Sequence, residues 1–311
     1  MGLAVDTTDI LMASWRDNTK GKYDTYFRQW SSFCAQHHLS VQQASVAQGL
    51  AFLTQKFREG LSYSSIKGAR SALSAILHPI NGIPFGKQPL VTKFLRGVAN
   101  LRPSLAKYSC VWEVKSVLDF FRSSADNASL TLMELTHKLV MLLTLTLCQR
   151  AQTIHSFELP SLKIGPDGFH VGFPTRLKQT RPGFHLKPVF VRSFPQEPKL
   201  CPLRALQAYI ARTSELRKGE AKLLLSYIRP HRAVSSKTVS RWLKSMLAQC
   251  GIDVSLFQGH SVRHAGTSTA KRSGVPIANI LQMAGWTSEE TFSVHYDKPL
   301  MVDIPHTLLS A

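Results

Sequence analysis

Acidic residues are scarce in this chain, with 19 Asp and Glu against 38 Lys and Arg in 311 residues. The few carboxylates are scattered, and no cluster of them suits a two-metal nuclease. There is no GxxxxGK[ST] loop, so a P-loop nucleotide site is excluded. Cysteines are few: Cys34, Cys110, Cys148, Cys201 and Cys250 are widely spaced and odd in number. No CxxC pair or Cys/His ligand spacing joins them, which argues against both a zinc site and a disulfide framework. They are expected to be free thiols in a reducing compartment. No apolar run approaches the roughly 20 residues of a membrane span, and the N-terminus lacks a signal-peptide pattern. A soluble intracellular protein without membrane partner, metal or small-molecule cofactor is expected.

What the chain has instead is positive charge. The formal net charge is +19 and the isoelectric point is near 10.0. Such an excess implies an anionic partner, of which nucleic acid is the commonest. The charge is spread along the chain: residues 1–103 hold 12 basic and 5 acidic residues (+7), and residues 104–311 hold 26 and 14 (+12). Both halves can therefore face one polyanion.

Length and periodicity divide the chain in two. Before residue 100 the pattern is helical. Ser14 is read as N-cap of a helix carrying Trp15, Tyr23, Phe27 and Trp30; Ser45 starts a second, stopped near Gly60; Ser62 or Ser64 opens a third; Pro89 begins a fourth. The third helix places Lys67 and Arg70 away from its apolar stripe, facing either phosphates or solvent. The stretch RPSLAKYS (Arg102–Ser109) then breaks the periodicity. The reading is a helical DNA-binding bundle over residues 1–102, a linker over 103–110 and a second domain over 111–311. In the second domain, helical signals resume at Val111 and run through the apolar segment Leu130–Leu147. Glycines and prolines between Leu159 and Val191 separate short runs that read as a small antiparallel sheet. Helices return at 203–213, 235–249, 261–273 and, after Pro276, 277–284. The fold class is mainly α, a helical bundle plus a mostly helical domain with one small sheet.

The residues suited to chemistry lie late in the chain. GHSVRH (Gly259–His264) places His260 at a helix N-terminus and Arg263 one turn in, where both can meet one phosphate favoured by the helix dipole. Gly285–Trp286 and His295–Tyr296 follow. The segment GHSVRHAGTSTAKRSGVPIANILQMAGWTSEETFSVHY resembles the C-terminal signature of the tyrosine recombinases, the phage-integrase superfamily. LTLCQR, ending at Arg150, resembles the first-arginine motif of that family, and Lys178 in RLKQTRPG its mobile β-turn lysine. The N-terminal bundle is similar to the family's core-binding domain. The Gly-Trp form and the LKQTRPG hairpin resemble most the eukaryotic transposon recombinases of the DIRS, Ngaro and Crypton kinds, which implies a nuclear location. Two departures stand out: Thr153 occupies a position that is often acidic in bacterial relatives, and Trp286 and Tyr296 are ten residues apart instead of nine.

The resemblance implies attack of the Tyr296 hydroxyl on a DNA phosphodiester, giving a 3′-phosphotyrosyl link. Arg150 and Arg263 would hold the non-bridging oxygens of the pentacoordinate phosphorus. His260 would help take the phenol proton, Lys178 would protonate the departing 5′ oxygen, and Trp286 would donate from its indole nitrogen. Structural roles compete: Arg150 as a dipole partner after an apolar helix, Trp286 as core, and Arg176 and Arg181 as alternatives to Lys178 or as DNA contacts. His264 and His295 are read as structural or solvent-facing. The expected function is a site-specific recombinase that integrates or excises a mobile element, working as a homotetramer on two double-stranded DNA sites. A type IB topoisomerase-like enzyme and an inactive DNA-binding module are the alternatives. The tail after Tyr296, with Leu300, Met301, Val302 and Ile304, is expected to dock on a neighbouring protomer or to pack within its own chain. Phosphate contacts would supply most of the affinity, so binding measured by fluorescence anisotropy is expected to weaken steeply and log-linearly with added salt.

Overall fold

A computed structural model of the chain describes residues 4–103, 108–173, 177, 180, 182–183 and 185–301. The chain divides into two compact units, Met1–Leu105 and Ala106–Ala311.

The first unit is helical: α1 (Val5–Ala13), α2 (Asp17–Gln36), α3 (Val46–Arg58), α4 (Tyr63–Ile76) and α5 (Pro89–Leu101). Ser45 caps α3 in a full capping box with Gln48, which satisfies two otherwise unpaired backbone N–H groups. Ser62 caps α4 through the Ser65 N–H, and Pro89 takes the first position of α5. The start of the bundle differs from expectation, because Ser14 ends α1 and α2 begins at Asp17. Nothing in α1 is buried, so its sequence carries no core-facing stripe for periodicity to detect. Trp30, Phe33, Phe52, Leu53, Leu73, Phe85 and Val91 form the core of this unit, and the Trp30 indole donates to the Val41 carbonyl at 2.9 Å.

The second unit contains α6 (Val114–Ser123), α7 (Leu132–Leu147), α8 (Ala151–His155), α9 (Pro202–Thr213), α10 (Ser236–Gln249), α11 (Ser261–Arg272), α12 (Ile277–Ala284) and α13 (Glu289–His295). Its sheet has three antiparallel strands in the order β1 (Leu162–Gly165), β2 (Gly168–Val171), β3 (Val189–Arg192). Ile164 faces Phe169, and Phe169 faces Val191. Gly168 turns the β1–β2 hairpin at φ 153°, where a Cβ would sit 2.2 Å from the Val191 carbonyl oxygen, so only glycine fits.

Helix α7 is the axis of this unit. Residues Leu135–Leu145 are all buried, Thr136, His137, Lys138 and Thr144 among them, and α8, α9, α10 and α11 pack around the helix. Its N-terminus carries a capping box between Thr131 and Glu134. Helix α11 approaches it closely at Gly266, where a Cβ would lie 3.2 Å from the Leu145 carbonyl oxygen. The buried Trp112 indole donates to the Ser261 hydroxyl at 2.9 Å, tying the first turn of α11 to the start of the unit. Gly259, just ahead of α11, lies against α10 with a would-be Cβ 2.5 Å from the Ser240 carbonyl oxygen. Gly259→Ala is expected to force these elements apart at a cost of about 1–3 kcal/mol, read as a Tm lower by several degrees in a thermal melt.

Candidate active site

The end of α7 sets the first arginine. Cys148 caps the helix in the left-handed conformation (φ 50°), which reverses the chain. Gln149 then reaches α12, its side-chain amide donating to the Met283 carbonyl at 2.5 Å. Arg150 follows at the N-cap position of α8, and its Nη2 lies 3.4 Å from the Tyr296 hydroxyl. Thr153 is buried, and its N–H donates to the Arg150 carbonyl at 2.8 Å, a first-turn backbone bond of α8.

Helix α11 supplies the next residues. His260 occupies its N-cap position, and Arg263 is 1% exposed one turn later. The Arg263 Nη2 donates to the Ala284 carbonyl at 2.8 Å. Its guanidinium carbon lies 4.3 Å from the Trp286 ring centroid and 5.2 Å from that of Tyr296. Trp286 is delivered by a helix stop: Gly285 is left-handed at φ 68°, and the Trp286 N–H returns to the Leu281 carbonyl at 2.9 Å, the backbone course that glycine makes inexpensive.

Tyr296 caps the C-terminus of α13 and is 7% exposed. Its ring lies between Trp286 at 4.3 Å and His264 at 4.3 Å, the latter nearly parallel at 23°. Its carbonyl accepts the Ser268 hydroxyl at 2.6 Å, and Ser268 accepts the Lys298 N–H at 3.2 Å. Asp297 pairs with Lys271. The chain beyond pairs with Val111, whose N–H donates to Pro299 and whose carbonyl accepts from Met301. The tail up to Met301 thus packs on its own chain, with Leu300 against the core; Val302 and Ile304 lie outside the described residues.

Five of the six expected site residues therefore converge. Arg150, His260 and Tyr296 line a cavity of about 380 Å³ with Tyr108, His264 and Lys298, and among the described residues no carboxylate lines it. The sixth, Lys178, lies outside the described residues, as do Arg176 and Arg181. Lys67 is exposed, its ammonium 5.5 Å from the Tyr63 ring. Arg70 is half-buried and donates to the Gly86 carbonyl at 3.3 Å, so its long stem follows the bundle surface.

The electrostatics follow from burial. Desolvation, followed by repulsion from Arg150, pushes the Arg263 guanidinium down to about 9, so it stays cationic at neutral pH. Its Nε and Nη1 and the Trp286 Nε1 are buried donors with no hydrogen-bond partner among the described residues. Cys148 beside them is raised to about 11 by burial, which keeps it a thiol and no rival nucleophile.

His264, Ser268, Gln149 and Tyr108 were not anticipated as site residues. The helical repeat carried part of the signal, because His260, His264 and Ser268 fall four apart on one face of α11. Burial, then the neighbouring His260 and Arg263, push the His264 imidazole down to about 3. The unfolded chain, with an ordinary histidine near 6.5, takes up a proton that the folded protein refuses. This contribution to stability is complete above about pH 6.5 and is lost as pH falls toward 3. Thermal melts from pH 7 to 4 are expected to show a shallower acid loss for His264→Phe than for wild type. Some slope will persist, since His137 and His155 are lowered in the same direction.

Neither a family model nor a curated protein matches this sequence. Solved structures do. The chain is similar to a lambda integrase (75–356) dimer bound to a COC′ core site, with 14% identity, 96% of both chains covered and a TM-score of 0.54. XerH site-specific recombinase bound to difH substrate, a pre-cleavage complex, gives 10% identity, 93% and 78% coverage and a TM-score of 0.59. The Tn1549 transposon integrase (82–397) in complex with circular intermediate DNA gives 12%, 87% and 86%, and 0.54. With its mostly helical units and three-stranded antiparallel sheet, the chain has the tyrosine recombinase fold.

Proposed function

We propose that this protein is a site-specific DNA recombinase that cleaves and rejoins strands through a phosphotyrosyl bond to Tyr296. The observation that carries the reading is the convergence on one phenol of two cations from distant parts of the chain. Arg150 reaches the Tyr296 hydroxyl at 3.4 Å, and Arg263 lies beside the same ring at 5.2 Å. In the proposed step, the Tyr296 oxygen bonds to phosphorus as the bond from phosphorus to the 5′ oxygen breaks. The phenol proton passes toward His260, and Lys178 returns a proton to the departing oxygen. The bond energy is kept in the 3′-phosphotyrosyl ester, and a 5′ hydroxyl attacking it reverses the step. The phosphorane carries roughly two negative charges, and preorganised donors in a water-poor site stabilise it more than the singly charged ground state. The partnerless donors of Arg263 and Trp286 suit that load.

The finer assignment rests on the sequence resemblance: a mobile-element recombinase of the DIRS, Ngaro or Crypton kind, acting in the nucleus as a tetramer on two duplexes. One neighbour of the same fold is a lambda integrase tetramer bound to a Holliday junction, which is compatible with such an assembly.

Nicked suicide duplexes bearing candidate terminal-repeat sequences, run on denaturing gels, test the reaction class. Wild type is expected to give a slow-migrating covalent adduct and Tyr296→Phe none. Arg263→Ala is expected to lower adduct formation by about 10²–10³-fold, the cost typical of one lost oxyanion donor. Adduct from Tyr296→Phe would show the nucleophile to be misassigned. Tight binding without any adduct from wild type would favour a DNA-binding module.

A further inference from the structure

The proposed chemistry uses one of the two histidines on the site face of α11 and leaves the other without a role. His264 lies one turn after His260 and is 8% exposed. Its ring stacks on Tyr296 with centroids 4.3 Å apart and planes 23° apart. Two rings support it from the side: His260 at 5.1 Å and 87°, and Tyr108 at 5.1 Å and 70°. Tyr108 is itself fixed, stacked on Phe257 at 6.0 Å, with its hydroxyl accepting the Gln258 N–H at 3.3 Å. Trp286 closes the opposite side of Tyr296 at 4.3 Å.

This arrangement limits what His264 can do. The basic lone pair of an imidazole lies in the plane of its ring, so a ring stacked face to face with a phenol presents no acceptor to that phenol's hydroxyl. His260, whose plane is turned 76° from that of Tyr296 at 6.2 Å, is the histidine whose orientation suits proton transfer. A stacked ring offers Tyr296 a flat wall that restricts the swing of the phenol about its own side-chain bonds. The wall also stays neutral. The groups facing it, His260 and Arg263 at the start of α11 and Lys298 from the segment after Tyr296, act with burial against a proton, and only the backbone of His295 favours one. A neutral wall adds no further cation beside Arg150 and Arg263. Helix α13 is only 7 residues long and Tyr296 stands at its end, so the helix alone does little to fix the ring.

We propose that His264, backed by Tyr108, is a positioning residue that holds the Tyr296 phenol in its attacking orientation. The proposal rests on the reading of Tyr296 as nucleophile. It predicts an effect on the cleavage step and not on DNA affinity, because the wall acts on the protein's own side chain.

The test compares wild type, His264→Ala and His264→Phe on the nicked duplexes, under single-turnover conditions, with DNA affinity measured in parallel. His264→Ala is expected to lower the rate of adduct formation about 10²-fold, the scale of a misplaced reacting group, while Kd stays within about twofold. His264→Phe, which restores a flat ring, is expected to recover most of that loss and to keep the wild-type shape of the rate–pH profile. A His264→Ala protein that cleaves at the wild-type rate overturns the proposal. A Phe variant as slow as the Ala variant does so too, since a ring nitrogen would then be required. A proton–carbon NMR spectrum of histidine-labelled protein without DNA reads the stack independently. The His264 ring protons should be shifted upfield, and should move downfield in Tyr296→Leu. Adduct from wild type without that shift overturns the positioning role alone. A clear shift with no adduct from wild type overturns the recombinase reading, and the positioning role falls with it.

Discussion

The second unit holds a buried guanidinium, that of Arg263, which no carboxylate meets among the described residues. Taking a cation out of water costs several kcal/mol even after relaxation. Arg263 recovers part of this through a charge-assisted hydrogen bond to the Ala284 carbonyl, typically about 1.5–3 kcal/mol. Contact with the Trp286 and Tyr296 rings adds about 2 kcal/mol for a desolvated cation–π pair. These offsets are comparable to the cost and do not clearly exceed it, and Arg150 adds repulsion. A site in that balance has unspent attraction for an anion, and the donors are already in place before one arrives.

Every other element near the site serves to hold that cation and the phenol beside it. Helix α11 carries Arg263 on a face that also presents His260, His264 and Ser268. It can approach α7 closely because Gly266 has no side chain. The left-handed residues Cys148 and Gly285 end their helices so that Arg150 and Trp286 turn inward. The Ser268 hydroxyl, bridging the Tyr296 carbonyl and the Lys298 N–H, fixes the main chain at Tyr296. The pairing of Val111 with the tail fastens the same segment from the other side.

Charge works on a longer scale. A net +19 attracts a polyanion from a distance and supplies non-specific affinity. The cavity around Tyr296, whose described lining includes Arg150, Lys298 and three histidines but no carboxylate, continues that field to the atoms that would react. The scarcity of acidic residues across the chain and their absence from the described cavity lining both suit the approach of phosphate that the proposed function requires.

The sequence alone determined the fold class and most helix boundaries, because these depend on local signals. Ser45 and Ser62 cap, Pro89 starts, the apolar run of α7 buries, and glycines and prolines bracket the sheet. It also determined which residue types were available for the proposed chemistry, since Arg150, His260, Arg263, Trp286 and Tyr296 stand in the order on which the resemblance rests. Helix α1 has no local signature because a helix with no buried face leaves no periodic trace, and the bond from Arg70 to the Gly86 carbonyl has none because a long side chain can leave the direction its helix gives it. Only the tertiary structure decided how the polar residues share the work. Whether His264 meets solvent or the face of Tyr296 depends on the packing of α11, α12 and α13 around one phenol. Tyr108 reaches that group from more than 150 positions earlier in the chain. Contacts of such separation have no local signature, since they arise from the closing of a core and not from the spacing of neighbours.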